Sequence, residues 1–285
     1  MINIRSFIAA AAALALNHTG VLAAGGEIDI PRNTWSFSGI GGQYDKAQLQ
    51  RGFQVYREVC ASCHGLNRLA FRNLAEPGGP EFPIDAVKAL AAEYEVDALP
   101  NEDGEVNKRP ATLADRFPPL YANEQEARSI HNGALPPDLS LIAKARGAPY
   151  VGPWYAHPGA MLWDIINGYQ EGGADYIVAL LKGYKVPPHH VEMSEGMAYN
   201  EYYPGHQIAM ANPFTVGNGQ VEYQNPETPV TVEQYSKDIA AFLSWASDPT
   251  LNQRKQIGWQ VLVYLLFTAI LLYIAKRRIW ANVKH

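Results

Sequence analysis

The sequence predicts a mainly α domain with long loops, followed by one C-terminal transmembrane helix. Three observations carry this reading. Apolar residues recur at three- and four-residue spacings in several stretches, the period of a helix with one buried face. Strict two-residue alternation is scarce, so extensive sheet is not expected. Ile257 to Ala275, IGWQVLVYLLFTAILLYIA, runs 19 residues without a charge. That length crosses a hydrocarbon core of about 30 Å.

The elements follow in chain order. Met1 to Ala24 holds Arg5, an apolar run from Phe7 to Leu16, and small residues at Ala23 and Ala24. This is the pattern of a secretory signal peptide, and the run is too short to span a bilayer. Residues 25–253 then form one exported domain, where 24 glycines and 20 prolines in the whole chain point to long irregular connections. Its first helix is expected over Asp45–Cys60. Asp45 and Gln48 make a capping pair, and Leu49, Phe53, Tyr56 and Cys60 form the stripe. Further helices are expected over Pro83–Tyr94, Glu124–Asn132, Asp138–Arg146 and Tyr176–Leu181. A last one spans Thr231–Ala246, with Val232, Tyr235, Ile239, Phe242 and Leu243 on its buried face. Residues 254–278 are the anchor with its basic flanks, and residues 279–285 the tail. Arg254 and Lys255 precede the apolar run; Lys276, Arg277, Arg278 and Lys284 follow it, and Trp259 and Trp280 suit the two interfaces. The larger basic excess is C-terminal, which keeps the tail inside and the domain outside.

The exported part is acidic. It carries all 28 Asp and Glu but only 16 of the 23 Lys and Arg, a balance of −12. That argues against nucleic acid and for a cationic partner. The densest run is EYEVDALPNEDGE, with Glu93, Glu95, Asp97, Glu102, Asp103 and Glu105.

Both cysteines of the chain stand in VYREVCASCHGLN, as Cys60 and Cys63, with His64 directly after. A reactive dithiol and a zinc site are the competing readings. The first expects a βαβ pattern that is not present, and the second needs four ligands. Cys-x-x-Cys-His instead suits covalent haem: two thiols add to the vinyl groups, and the histidine gives iron an axial nitrogen. An electron-transfer haem needs a sixth ligand, and a thioether raises its potential. Met161 reads as core, and Met193 and Met197 as ordinary contacts. Met210, in NEYYPGHQIAMANPF, lies in loop chain bracketed by Gly205 and Pro213. It is the candidate. A core role for Met210, or ligation by His206, stands as the alternative; His131, His157, His189 and His190 read as surface or loop residues.

At this point the chain resembles the cytochrome c1 family, the membrane-anchored c-type cytochromes of quinol–cytochrome c oxidoreductase, in a bacterial form. The matching segments are GFQVYREVCASCHGLN, PNEDGE, RPATLADRFP, NGALPPDLSLIAKAR, DYIVALLKGY, YYPGHQIAMANP and DIAAFLSWASDP. The resemblance implies a c-type cytochrome haem domain with one covalently bound haem c. Cys60 and Cys63 would hold it, and His64 and Met210 would be its axial ligands. Arg146 would pair with a propionate, where a plain surface arginine at a helix end is the alternative. Pro136 and Pro137 would wall the haem, and Tyr56 and Tyr176 would shield it. The implied partners are a cytochrome b subunit, a Rieske iron–sulfur subunit and a soluble basic c-type cytochrome, in a dimeric complex of the bacterial inner membrane with the haem domain on the periplasmic side. The chain would be a redox subunit, not an enzyme on its own. An anchored haem protein with an open site for a small ligand is the other functional class. Residues 147–173 depart from shorter family members as an insertion with two tryptophans. Some bacterial relatives carry a late disulfide that this chain cannot make, so the Met210 loop is expected to be held by packing alone.

Overall fold

The computed structural model describes residues 28–147, 150–189 and 191–281; the export signal expected over Met1–Ala24 lies outside them. Helix α1 (Lys46–Val55) starts at Asp45, whose carboxylate accepts the Gln48 N–H at 2.6 Å. The chain then leaves α geometry. Tyr56–Cys60 is a π-helical turn, closed by the Ala61 N–H on the Tyr56 carbonyl at 2.8 Å. The wider turn keeps Leu49, Phe53 and Tyr56 buried on one side while it delivers Cys60.

Next come a 3₁₀ turn (Phe71–Ala75), α2 (Ile84–Ala92), and an antiparallel hairpin of β1 (Glu95–Asp97) with β2 (Lys108–Pro110). Phe71, Tyr94 and Phe117 pack together, with the Phe71 and Phe117 rings 4.3 Å apart. Helix α3 (Glu124–Ile130) is capped by Asn123, and α4 is one turn (Ile142–Ala145). Helices α5 (His157–Asn167) and α6 (Gly172–Lys182) follow, then a second small hairpin, β3 (Ala198–Tyr199) with β4 (Gln207–Ile208). Helix α7 (Val232–Ser247) begins at Thr231, whose hydroxyl accepts the Gln234 N–H. Helix α8 (Leu251–Trp280) ends the described chain.

The core forms where α1 and α7, near opposite ends of the domain, cross. Gly52 makes the approach possible: a Cβ there would overlap the Asp238 carbonyl oxygen and lie 2.6 Å from the Phe242 Cβ. Buried Asp238 is held by Arg51 through bonds of 2.9 and 3.0 Å, so its charge is paired. Helices α4 and α6 also pack on α7.

Several boundaries differ from expectation for physical reasons. Pro83 caps α2 and does not enter it. Helix α3 stops at Ile130 because Asn132 and Gly133 adopt left-handed φ of 51° and 89°. The helix expected over Asp138–Arg146 shrinks to α4, since the Asp138 carboxylate binds the N–H groups of Asn67 and Ser140. Helix α6 is longer than expected, and α5, inside the 147–173 insertion, was not foreseen.

Helix α8 is the one helix among the described residues long and apolar enough to cross a membrane. Its first turns belong to the domain. Leu251 is buried, Asn252 binds the Tyr44 N–H, and Arg254 pairs with Asp248. The Lys255 ammonium donates to the carbonyls of Phe37, Gly39 and Gly42 at 2.7, 2.6 and 3.2 Å.

Candidate functional site

The π turn and the residues after it build one wall of the site. The N–H groups of Cys63 and His64 both reach back to the Cys60 carbonyl, at 3.1 and 3.0 Å. Both cysteines are free and half-buried. Burial, with Cys63 adding to it, pushes the Cys60 thiol up to about 12, so it stays protonated. Tyr56 lies beneath the turn and donates its hydroxyl to the His64 carbonyl at 2.9 Å. Burial raises that phenol's pKa, so it remains a donor.

The Pro137–Ser140 segment fixes the imidazole. His64 Nδ1 is 2.7 Å from the Pro137 carbonyl, an acceptor only, so Nδ1 carries the proton and Nε2 presents a lone pair. Burial lowers the His64 pKa against the pull of that carbonyl, which favours the neutral ring a metal needs. Three further bonds strap the two segments together: Asn67 N–H to Asp138, Arg68 N–H to the Ser140 hydroxyl, and Leu139 N–H to the Gly65 carbonyl. Half-buried Pro136 and exposed Pro137 lie on this strap. Beside Cys63, the Tyr121 hydroxyl meets His131 Nε2 at 2.6 Å, so His131 has its own partner.

Met210 is half-buried, two residues after β4. The loop is held by more than packing. The Tyr184 hydroxyl donates to the Met210 carbonyl at 3.0 Å. Buried Asn200 donates to the Leu180 carbonyl and accepts the Tyr202 N–H, tying the β3–β4 hairpin to the end of α6. His206 sits in the turn of that hairpin with a left-handed φ of 59°, its ring stacked on Tyr199 and its Nδ1 3.2 Å from the Asn200 carbonyl.

Tyr176 is buried on α6 with Ile30 and Ala179. Burial raises its pKa, with the Tyr203 side chain adding and Arg146 opposing. Arg146 itself is exposed at the end of α4, its guanidinium near the Ala145 carbonyl. The structure thus joins Tyr56, Cys60, Cys63 and His64 with Pro137, while Met210 is bonded to Tyr184 just past the end of α6, the helix that carries Tyr176. Sequence reasoning missed Asp138, Tyr184 and Asn200. Asp138 had a legible signal, an aspartate two residues before a serine in irregular chain.

The donor set fits a covalently held haem: two thiols not joined to each other, one turn apart, beside an imidazole whose Nε2 is free. Among the described residues, no three His, Cys, Asp or Glu side chains converge as a zinc site would require.

A model of the cytochrome C1 family matches residues 35–283. The chain belongs to the cytochrome c1 family. Cytochrome c1 of Blastochloris viridis is 50% identical over 252 residues, 88% of this chain and 86% of that one. Cytochrome c1 of Rhodospirillum rubrum is 38% identical over 282 residues, 99% and 98% of the two chains. The cytochrome b/c1 of Bradyrhizobium diazoefficiens is 46% identical over 253 residues, which cover 88% of this chain but 36% of that longer protein. As a cytochrome c1, the chain is a haem-carrying electron-transfer subunit of the bc1 complex and not an enzyme on its own.

Proposed function

We propose that this chain takes one electron at a time from a Rieske iron–sulfur subunit and passes it, through a single haem c, to a soluble basic c-type cytochrome. Cys60 and Cys63 would hold the haem, and the His64 Nε2 and the Met210 thioether would supply the two protein donors to its iron. The observation that carries this is the His64 Nδ1–Pro137 carbonyl bond at 2.7 Å beside two unjoined cysteines. The haem supplies the one-electron couple. The protein's part is to keep both axial donors still. The Pro137 carbonyl fixes the His64 ring and its tautomer, and no proton need move there. Tyr184 and Asn200 fix the backbone around Met210. Arg146, exposed at the end of α4, would meet a propionate with its guanidinium.

The haem domain, residues 25–253, stands on the periplasmic side of a bacterial inner membrane, beside a cytochrome b subunit in a dimeric complex. The excess of basic residues after the anchor supports that orientation. The β1–β2 hairpin supports a cationic acceptor. It is rooted at the π turn by the Arg57–Glu93 pair, and its exposed loop carries Glu102, Asp103 and Glu105.

Acid–organic extraction of the denatured protein tests attachment. Haem stays on the wild-type polypeptide and is lost from the Cys60→Ala, Cys63→Ala double variant. The spectrum of the reduced protein does not change under carbon monoxide, whereas in Met210→Leu it does, and the potential falls. Extraction of all haem from the unaltered chain would overturn the assignment.

A further inference from the structure

Helix α5 is turned inside out for a water-soluble domain. Its half-buried residues, Ala156 at the cap, Ala160 and Asp164, recur every four positions and mark the edge that meets the protein. Asp164 is fastened there by Arg32, through bonds of 3.0 and 3.2 Å. The rest of its surface is apolar and exposed: Leu162, Ile165 and Ile166 lie opposite that edge, Met161 and Trp163 flank them, and Trp154 just before the helix is 85% exposed. A helix that keeps its carboxylate against the protein and its large apolar groups outward has its covering partner elsewhere.

Its place in the fold indicates the partner. Gly168, the left-handed residue that ends α5, accepts the Gly39 N–H at 3.2 Å. Gly39 is one of the three residues whose carbonyls Lys255 grips. Lys255 stands two residues before Ile257, where the uncharged run of α8 begins. The end of α5 is therefore pinned beside the start of the uncharged run of α8. Ile40, next to Gly39, is 72% exposed and extends the apolar surface toward that run. The fixing is redundant: Arg32 also lies 3.9 Å over the Tyr169 ring, and Asp175 collects Asn33 and Trp35.

We infer that α5 and Trp154 form a second, interfacial membrane contact, with the apolar face of α5 lying in the headgroup–acyl boundary of the leaflet that α8 enters. Tryptophans flanking an aliphatic face are the composition such a contact uses. The polar edge brings no free Lys or Arg, so attachment rests on apolar burial and depends little on anionic lipid. This rests on α8 crossing the membrane, and the test reports the two separately.

The haem-loaded full chain is placed in phosphatidylcholine nanodiscs, with and without phosphatidylglycerol. Single nitroxide labels are put at Ile166→Cys, at Val263→Cys within α8, and at Lys88→Cys on α2 as a water reference. Retained covalent haem checks the fold of each. Collision with oxygen, relative to collision with a water-soluble nickel chelate, should be several-fold higher at 166 than at 88, with or without the anionic lipid. A value at 166 equal to that at 88, while 263 reads as lipid, overturns the inference and leaves the anchor standing. A water-like value at 263 overturns the anchor itself. A label at 166 that loses both collisions only when the other membrane subunits are added assigns the face to a protein neighbour and also overturns the inference.

Discussion

Asp115 shows how a single carboxylate organises a segment that contains no helix. It accepts both Arg109 nitrogens at 2.7 and 2.8 Å, and the N–H and hydroxyl of Thr112 at 2.7 and 2.8 Å. The Arg109 pair first, and the Thr112 N–H next, hold its carboxyl well below the usual range of about 3.9. A depressed folded-state pKa contributes stability that is complete above the unfolded value and is lost as pH falls through the folded one. Asp115→Asn should therefore lower Tm by a few degrees at pH 7, and the gap to wild type should close below about pH 4; thermal melts across that range measure it. Tyr184→Phe should leave the Met210 carbonyl without its donor, at about 1–3 kcal/mol. The haem should stay attached, and a larger fraction of the reduced protein should bind carbon monoxide; an unchanged fraction would detach Tyr184 from the ligand loop. At this scale the turn that brings Cys60, Cys63 and His64 together was legible, because the three residues stand in one local stretch. The Pro137 carbonyl that orients His64 was not, because a backbone acceptor leaves no mark on residue type.

Among the elements, the α1–α7 crossing is the most sensitive. No side chain fits between Gly52 and the Asp238 carbonyl. Gly52→Ala should force the helices apart and cost about 1–3 kcal/mol by overpacking, read from denaturant unfolding of the haem-loaded protein. An unchanged midpoint would mean that the crossing can relax. Both helices were legible because each has a capping residue and a stripe facing one core. The π turn was hidden, since Leu49, Phe53, Tyr56 and Cys60 also suit a continuous α-helix. Helix α5 was hidden for the opposite reason. Its stripe exists, but Pro158 and Gly159 break the propensity pattern, and its apolar face does not point to the core. The two hairpins pair three and two residues per strand, too few for alternation to show.

For the whole molecule, charge and anchoring make the tests. Of the acidic run, Glu93 and Asp97 are paired with Arg57 and Lys108, while Glu102, Asp103 and Glu105 project on the β1–β2 loop. Long-range attraction raises association rate and is screened over about 8–10 Å at ordinary salt. Stopped-flow electron transfer to a basic cytochrome should slow as salt rises. Glu102→Gln, Asp103→Asn and Glu105→Gln together should lower the low-salt rate and flatten that dependence, with the potential unmoved. A triple variant that matches wild type at every ionic strength would make the loop a solvated face only. Truncation after Gln256 should give a haem-loaded domain without its spanning helix, held to lipid by α5 and Trp154 alone and so washed from membranes far more readily than the full chain. Truncation after Asp248 also removes Asn252, Arg254 and Lys255, which bind the domain. At roughly 1 kcal/mol for each bonded side chain, it should be less stable by about 3 kcal/mol. Equal stability of the two truncates would show that the first turn of α8 is only a tether.

The Lys255 clamp has a mechanical consequence. Three residues, Asp248 to Thr250, join α7 to α8, and the clamp, with Asn252 and Arg254, fixes the start of α8 on the domain. The domain therefore inherits its attitude from the anchor. Lipid that changes the lean of α8 by mismatch with its apolar length must lean the domain by the same angle. In oriented films of short-chain and long-chain lipid, the linear dichroism of the haem should shift in step with the helix. Asn252→Ala, Arg254→Ala and Lys255→Ala together should uncouple the two.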